Sequence, residues 1–356
     1  MAERAQALSA FLYAPVMTAH PFDPDAPASS GAGIYGLPHT PEESRVVVVP
    51  VPYEATTSYG GGTSNGPQAV FEASKQVDLF DRDTGRPYET GIAMLGLPKK
   101  IERCNRKAKE IAAAVIEKGG VVDRATRKAA AEVNAISELV NDWVHDQTRT
   151  LLDAGRMAVT LGGDHSVPFG AIQAYAETYP GLGILHLDAH ADLRDAYEGF
   201  AWSHASIFHN VMTKIDGVAK LVQFGVRDLS NAEAAMIENS GGRIVTFFDS
   251  DLAARKEEGA VWAEIADEIV GALPNDVYLS WDIDGLDPTL CPSTGTPVPG
   301  GLSWNEAIGI LRAIVRAKKR IVGLDLCEIA PGATEWDANV GARLLYKMIG
   351  FALMTQ

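Results

Sequence analysis

The chain has 356 residues, of which 46% are hydrophobic and 22% charged, with a formal net charge of −15. That acidity excludes a phosphate-tracking nucleic-acid surface, which needs clustered Lys and Arg; it suits solvation and a cationic small molecule. No apolar run reaches the roughly eighteen residues of a membrane helix. Residues 1–22 lack the basic, apolar and small-residue succession of a signal peptide, so the expected location is the cytoplasm. Cys104, Cys291 and Cys327 lie far apart and form no CxxC pair. They read as reduced, largely buried side chains rather than a disulfide framework or thiolate zinc site.

Residues 1–42 are rich in Pro, Gly, Ala and Ser without periodicity and read as an irregular N-terminal extension; residues 43–356 read as a single α/β domain. Regular structure starts at the β-branched run 45–50, typical of a buried strand. Similar runs follow at 92–96, 157–161, 182–187, 220–225, 243–248, 276–282 and 320–326. Helical patterns separate most of them, which predicts a mainly parallel sheet with helices on both faces. The longest helical stretch covers 104–153, where Val133, Ile136, Val140 and Val144 recur at helical spacing and Gly119-Gly120 marks a break.

Three segments carry the chemistry. Leu161-Gly-Gly-Asp-His-Ser166 follows a strand and presents His165 at its end. In Asp188-Ala-His-Ala-Asp192, the polar residues are two apart, so an extended backbone puts Asp188, His190 and Asp192 on one face. Asp282 and Asp284 share a face at the end of the apolar run 277–281. Carboxylates crowded into a semi-buried place raise one another's pKa unless a cation compensates. Parallel sheets gather ligands at the C-terminal ends of their strands, so the three segments can converge there. Four carboxylates balance two divalent cations, and mixed carboxylate and imidazole donors suit Mn²⁺, with Ni²⁺ or Co²⁺ as alternatives. Asp287, before Pro288, reads as turn chemistry. His186 shares parity with Asp188 and reads either as a core histidine or as a partner beneath it.

With GGDHS at 162–166, DAHAD at 188–192, SWDIDGLDP at 280–288, TGTPVPGG at 294–301 and GLDLCEIAP at 323–331, the chain resembles the ureohydrolase (arginase and agmatinase) superfamily from about Arg45 to Tyr346. The resemblance implies a three-layer α/β/α sandwich with a mostly parallel eight-stranded sheet, assembled as a homo-oligomer, usually a trimer or hexamer. It implies one metal held by His165, Asp188, Asp192 and Asp282 and another by Asp188, His190, Asp282 and Asp284. It also implies Glu328 as the guanidinium-binding carboxylate, Asp192 as a proton relay and His204 as a proton shuttle, a task suited to a pKa near neutrality. In the strand before Glu328, Val322, Leu324 and Leu326 are expected to alternate onto its face.

The implied reaction is hydrolysis of a small cationic guanidino compound to urea and an amine. Residues 193–202 lack a recognisable grip for the α-groups of an amino acid, which favours agmatine over arginine. Arg194 leaves open a guanidino acid or a plain salt bridge, and the aromatic run Tyr197, Phe200 and Trp202 a narrow pocket for guanidine, with Trp202 expected against the substrate. A formimino hydrolase, a mononuclear zinc deacetylase and a non-catalytic metal-stabilised scaffold are the further alternatives.

Overall fold

The computed structural model describes residues 22–356; of the expected N-terminal extension, residues 1–21 lie outside them. The strands are β1 (Val46–Val51), β2 (Ile92–Met94), β3 (Met157–Gly162), β4 (Leu182–Leu187), β5 (Val218–Val226), β6 (Ile244–Phe248), β7 (Asp276–Asp282) and β8 (Arg320–Cys327). Each coincides with a run expected from the sequence, within a few residues at the ends. They form one sheet in the order β2-β1-β3-β8-β7-β4-β5-β6. Every ladder is parallel, so the sheet is more uniform than expected.

Parallel strands buried on both faces read as continuous apolar runs, and all six residues of β1 are buried. Val46, Val48, Leu161, Leu185 and Leu187 face one layer; there they meet Val70 of α1 (Gly66–Ser74), Ile269 of α8 (Trp262–Gly271), Leu311 of α9 (Trp304–Arg316) and Leu345 of α10 (Trp336–Met354). Val47, Val49 and Ile184 face the other layer, with Ala108 of α2 (Lys99–Ile116), Val140 of α3 (Arg124–Asp153), Ile172 of α4 (Phe169–Thr178) and Phe208 of α5 (Ile207–Lys214). The result is the expected α/β/α sandwich. Two shorter helices, α6 (Asn231–Glu238) and α7 (Asp249–Glu257), flank the β5 and β6 edge.

Gly119 and Gly120 both take positive φ and separate α2 from α3. Asp123 caps α3, accepting the Thr126 backbone N–H at 2.8 Å. Val133, Ile136, Val140 and Val144 are all buried on its inner face. Before β1, Ile34, Tyr35 and Leu37 are buried in the first core, where Tyr35 donates its backbone N–H to Ser74 Oγ at 2.8 Å.

One expected pattern fails. β8 carries a bulge at Val322, since Val277 pairs with Ile321 while the next residue, Tyr278, pairs with Gly323. Ile321 and Leu324 therefore face one core and Val322 the other, so Val322 does not share the face of Leu324 and Leu326.

Two glycines make contrasting tests of packing, Gly163 beside the site and Gly271 at the end of α8. A Cβ at Gly163 would overlap the Tyr53 carbonyl oxygen, whereas a Cβ at Gly271 meets nothing within 4 Å. Gly163→Ala is expected to cost roughly 3 kcal/mol in urea unfolding. Gly271→Ala should stay within about 1 kcal/mol of the parent.

Candidate metal centre

The four central strands β3, β8, β7 and β4 deliver their C-terminal ends to one place. After β3, the Gly163 N–H donates to Val51 O at 3.0 Å and the Asp164 N–H to Tyr53 O at 2.8 Å, which turns the chain and leaves His165 fully buried. After β4, the chain bends at Ala189 and reaches a left-handed Asp192; Ala189 and Ala191 are buried, and the side chains of Asp188, His190 and Asp192 join the cluster. Asp282 ends β7, and its carboxylate accepts the Asp284 N–H at 2.8 Å, which tightens the turn carrying Asp284. The six residues predicted as ligands are thereby brought together.

His165 Nδ1 lies 3.1 Å from Asp188 Oδ2, 3.4 Å from Asp192 Oδ2 and 3.5 Å from Asp282 Oδ2. His190 Nδ1 lies 3.3 Å from Asp188 Oδ1 and 3.2 Å from Asp284 Oδ2. Asp188 thus faces both imidazoles. On its far side, His165 Nε2 donates to Ser280 Oγ at 3.0 Å, because the Ser280 hydroxyl spends its hydrogen on Asp325 at 2.9 Å. A neutral His165 then aims a lone pair at three carboxylate oxygens. Only a proton or a metal ion can occupy that point.

The electrostatics agree. Burial, then the charge of Asp188, pushes the Asp192 carboxyl up to about 8. Burial and the charges of Asp284, Asp188 and Glu328 push Asp282 well above the carboxylate range. Against the opposition of burial, Asp284 and Asp188 hold His190 up to about 12. These donors fit divalent cations in chemistry and in charge, with oxygens in excess over nitrogens and no thiolate among the converging atoms.

The other predicted residues are spread around this cluster. Glu328 follows β8 and is buried; its Oε1 accepts the His165 N–H at 2.9 Å, and burial and the charge of Asp164 raise its pKa. Glu328 and Asp192 have φ of 63° and 54°, sparsely populated values for such residues that a surrounding structure must enforce. His204 lines the cavity above the cluster, with Nδ1 3.5 Å from Thr56 Oγ1; burial and the charge of His190 lower its pKa to about 4. Arg194 also lines the cavity and pairs with the buried Glu233 at 3.5 Å.

Trp202 is a correction. Its ring packs edge-on against Phe169, its indole N–H donates to Glu138 at 3.0 Å, and it is absent from the cavity wall. Asn134 of α3 pins the loop by hydrogen bonds to Gly199 O and Ala201 N, which turns Trp202 outward, and Tyr197 lines the cavity instead. Asp287 accepts from Thr289, in the expected turn. The sequence reading missed Ser58, Asp228, Glu233 and Thr296 on the wall, and Ser280 and Asp325 beneath it. Of these, Ser280 shares parity with Asp282 and was the one with a legible signal.

A ligand cluster with two imidazoles at the C-terminal edge of a parallel sheet defines a metal-dependent hydrolase class. The model of the arginase family matches residues 44–350, and the chain belongs to that family. It is 34% identical over 319 residues to an N(1)-aminopropylagmatine ureohydrolase of Thermus thermophilus, covering 89% of this chain and 94% of that protein. It is 29% identical to an agmatinase of Bacillus anthracis, covering 82% and 85%. The solved proclavaminate amidinohydrolase of Streptomyces clavuligerus shares the fold, with a TM-score of 0.70 at 23% identity over 93% of this chain and 100% of that one. The chain is an agmatinase-like ureohydrolase, acting on carbon–nitrogen bonds of linear amidines. No helix among the described residues is long and apolar enough to cross a membrane.

Ions that bind only the folded state stabilise it by mass action. Chelator-treated protein is expected to melt lower than the untreated protein, and added Mn²⁺ should restore the melting temperature in proportion to the logarithm of its concentration. Asp188→Asn should abolish most of that response in a fluorimetric melt; an equal response in both proteins would contradict the assignment.

Proposed function

We propose that this protein hydrolyses the guanidinium group of a linear guanidine with a cationic tail, agmatine or its N1-aminopropyl derivative, to urea and the corresponding amine. Two divalent cations, Mn²⁺ in the first instance, would be held by His165, Asp188, Asp192 and Asp282 and by Asp188, His190, Asp282 and Asp284; once bound, they supply Lewis-acid activation of water.

The observation that carries the tail preference is the charge on the cavity wall. Arg194, the one guanidinium there, already faces the buried Glu233, while among the described residues the Asp228 carboxylate has no side-chain partner. Such a wall engages its one guanidinium with Glu233 and offers one free anion to a distal ammonium. The relatives named for agmatine and aminopropylagmatine support the same reading.

Glu328 orients the substrate. Its Oε1 is spent on the His165 N–H, which leaves Oε2, beside Gly295, as the oxygen to pair with a guanidinium N–H. Water adds to the guanidinium carbon, and Asp192 takes up its proton. Asp192 returns that proton to the alkyl nitrogen as its bond to carbon breaks, and the proton left on the added oxygen passes to the departing amine, giving urea and an alkylammonium. His204, held neutral by burial, faces the cavity as a hydrogen-bond partner for the reacting groups, and its lowered pKa does not favour the shuttle that the resemblance implies. Arg194 keeps the Asp192 loop in place through Glu233, which also accepts the Leu193 N–H at 3.0 Å.

In a urea-release assay with Mn²⁺, agmatine and N1-aminopropylagmatine are expected to exceed arginine, guanidine and guanidinobutyrate in kcat/KM. A guanidino acid as best substrate would contradict the proposal, as would formamide in place of urea. Glu328→Gln should lower kcat/KM by roughly 30-fold or more, the scale of about 2 kcal/mol lost from a buried charged pair. Asp228→Asn should weaken the substrates with cationic tails and leave guanidine turnover unchanged.

A further inference from the structure

A polar row crosses the sheet directly beneath the metal cluster. His186 of β4 pairs with Gln223 of β5, and Gln223 with Thr246 of β6. The row continues through Ser280 of β7, which pairs with His186 on its other side, and both His186 and Gln223 are fully buried. A buried polar group must be hydrogen-bonded to be tolerated. Here each one is, and the pattern of donors leaves a single arrangement.

Thr246 Oγ1 donates to Gln223 Oε1 at 3.0 Å. The Gln223 amide nitrogen donates to the Ala191 carbonyl at 2.7 Å and to His186 Nδ1 at 2.9 Å. Flipping the amide would set its oxygen against the Ala191 carbonyl oxygen, which can only accept, so that contact fixes its orientation. With an N–H donor facing it, His186 Nδ1 must carry a lone pair, and the ring's proton sits on Nε2. That proton is donated to Asp188 Oδ2 at 2.9 Å.

We infer that Gln223, oriented by the Ala191 carbonyl and held by Thr246, is a positioning residue: it locks His186 in the Nε2–H tautomer and makes it a permanent donor to Asp188, the carboxylate that faces both imidazoles of the cluster. Neither Gln223 nor Thr246 lines the cavity, and they act only through His186. The inference rests on Asp188 being a metal ligand, as proposed above. An outer partner that fixes the orientation of a ligating carboxylate typically contributes about 10- to 100-fold in metal affinity.

The test uses the full-length metal-free protein with ¹⁵N-labelled histidine and competition between protein and a fluorescent chelator for Mn²⁺. Wild-type protein should show His186 as the Nε2–H tautomer. Gln223→Glu presents an acceptor to Nδ1, so its His186 should become the Nδ1–H form or doubly protonated, and the Mn²⁺ Kd should rise about 10- to 100-fold. Gln223→Met, which keeps the length without a buried charge, should raise Kd in the same direction and let the ring exchange tautomers, even if the glutamate variant does not fold. Thr246→Val should give a smaller rise. A purely packing role would lower the melting temperature of the metal-free variants without moving the tautomer signature. Unchanged Mn²⁺ affinity or an unchanged Nε2–H signature in Gln223→Met overturns this inference alone; wild-type protein that takes up no Mn²⁺ overturns the proposed function as well.

Discussion

Carboxylates cannot be gathered out of water at hydrogen-bond distance unless positive charge is gathered with them, because both burial and mutual repulsion oppose their ionisation. Asp188, Asp192, Asp282 and Asp284 are all buried here, around two imidazoles whose Nδ1 atoms point inward. The rest of the site is arranged so that this collection keeps its shape. Four ligands are held from behind: His165 by Ser280 and Asp325, Asp188 by His186, Asp282 by the Asp284 N–H, and Asp284 by the Ala189 N–H at 3.0 Å. Asp192 and Glu328 adopt left-handed backbone, and their carbonyls are tied down by Phe208 N at 3.0 Å and Thr294 Oγ1 at 2.7 Å.

The fold makes such a gathering affordable by concentrating polar groups at one level of an otherwise apolar sheet. Across neighbouring strands, Thr160, Asp325, Ser280, His186, Gln223 and Thr246 pair in register, one residue per strand. Apolar residues above and below this row fill both cores. The cavity walls come from loops instead. Buried Glu54, after β1, accepts from Gly62 N, Thr63 Oγ1 and Ser64 N and pairs with Lys109 of α2, which fixes the loop that brings Ser58 to the cavity. A rigid sheet thus holds the metal ligands, while loops set the mouth that selects the substrate.

Much of this was legible in the sequence because the chemistry is local. Asp188, His190 and Asp192 lie two apart, as do Asp282 and Asp284, and their place just after apolar strands marked them for one edge, although a bend at Ala189, a left-handed Asp192 and a tight turn at 283–285 set their directions. The eight strands were equally legible as β-branched runs. What was not legible depends on pairing between distant segments. Nothing in the run around Val322 announces a bulge, which arises from register against β7. Gln223 and Asp325 look like isolated polar residues in buried strands until the strand order brings them beside His186 and Ser280. Trp202 was misplaced because an aromatic residue in a loop can turn inward or outward, and hydrogen bonds from Asn134 and Glu138 on α3 turn it outward. His186, readable either way from parity, lies beneath Asp188 and is also fully satisfied.

The central claim is that the buried carboxylates and imidazoles exist to hold a pair of cations. Metal content after equilibrium dialysis against Mn²⁺, measured by plasma mass spectrometry beside protein concentration, tests it most directly. The expected result is about two ions per chain, as four carboxylates require for charge balance. One ion per chain, or none, would contradict it.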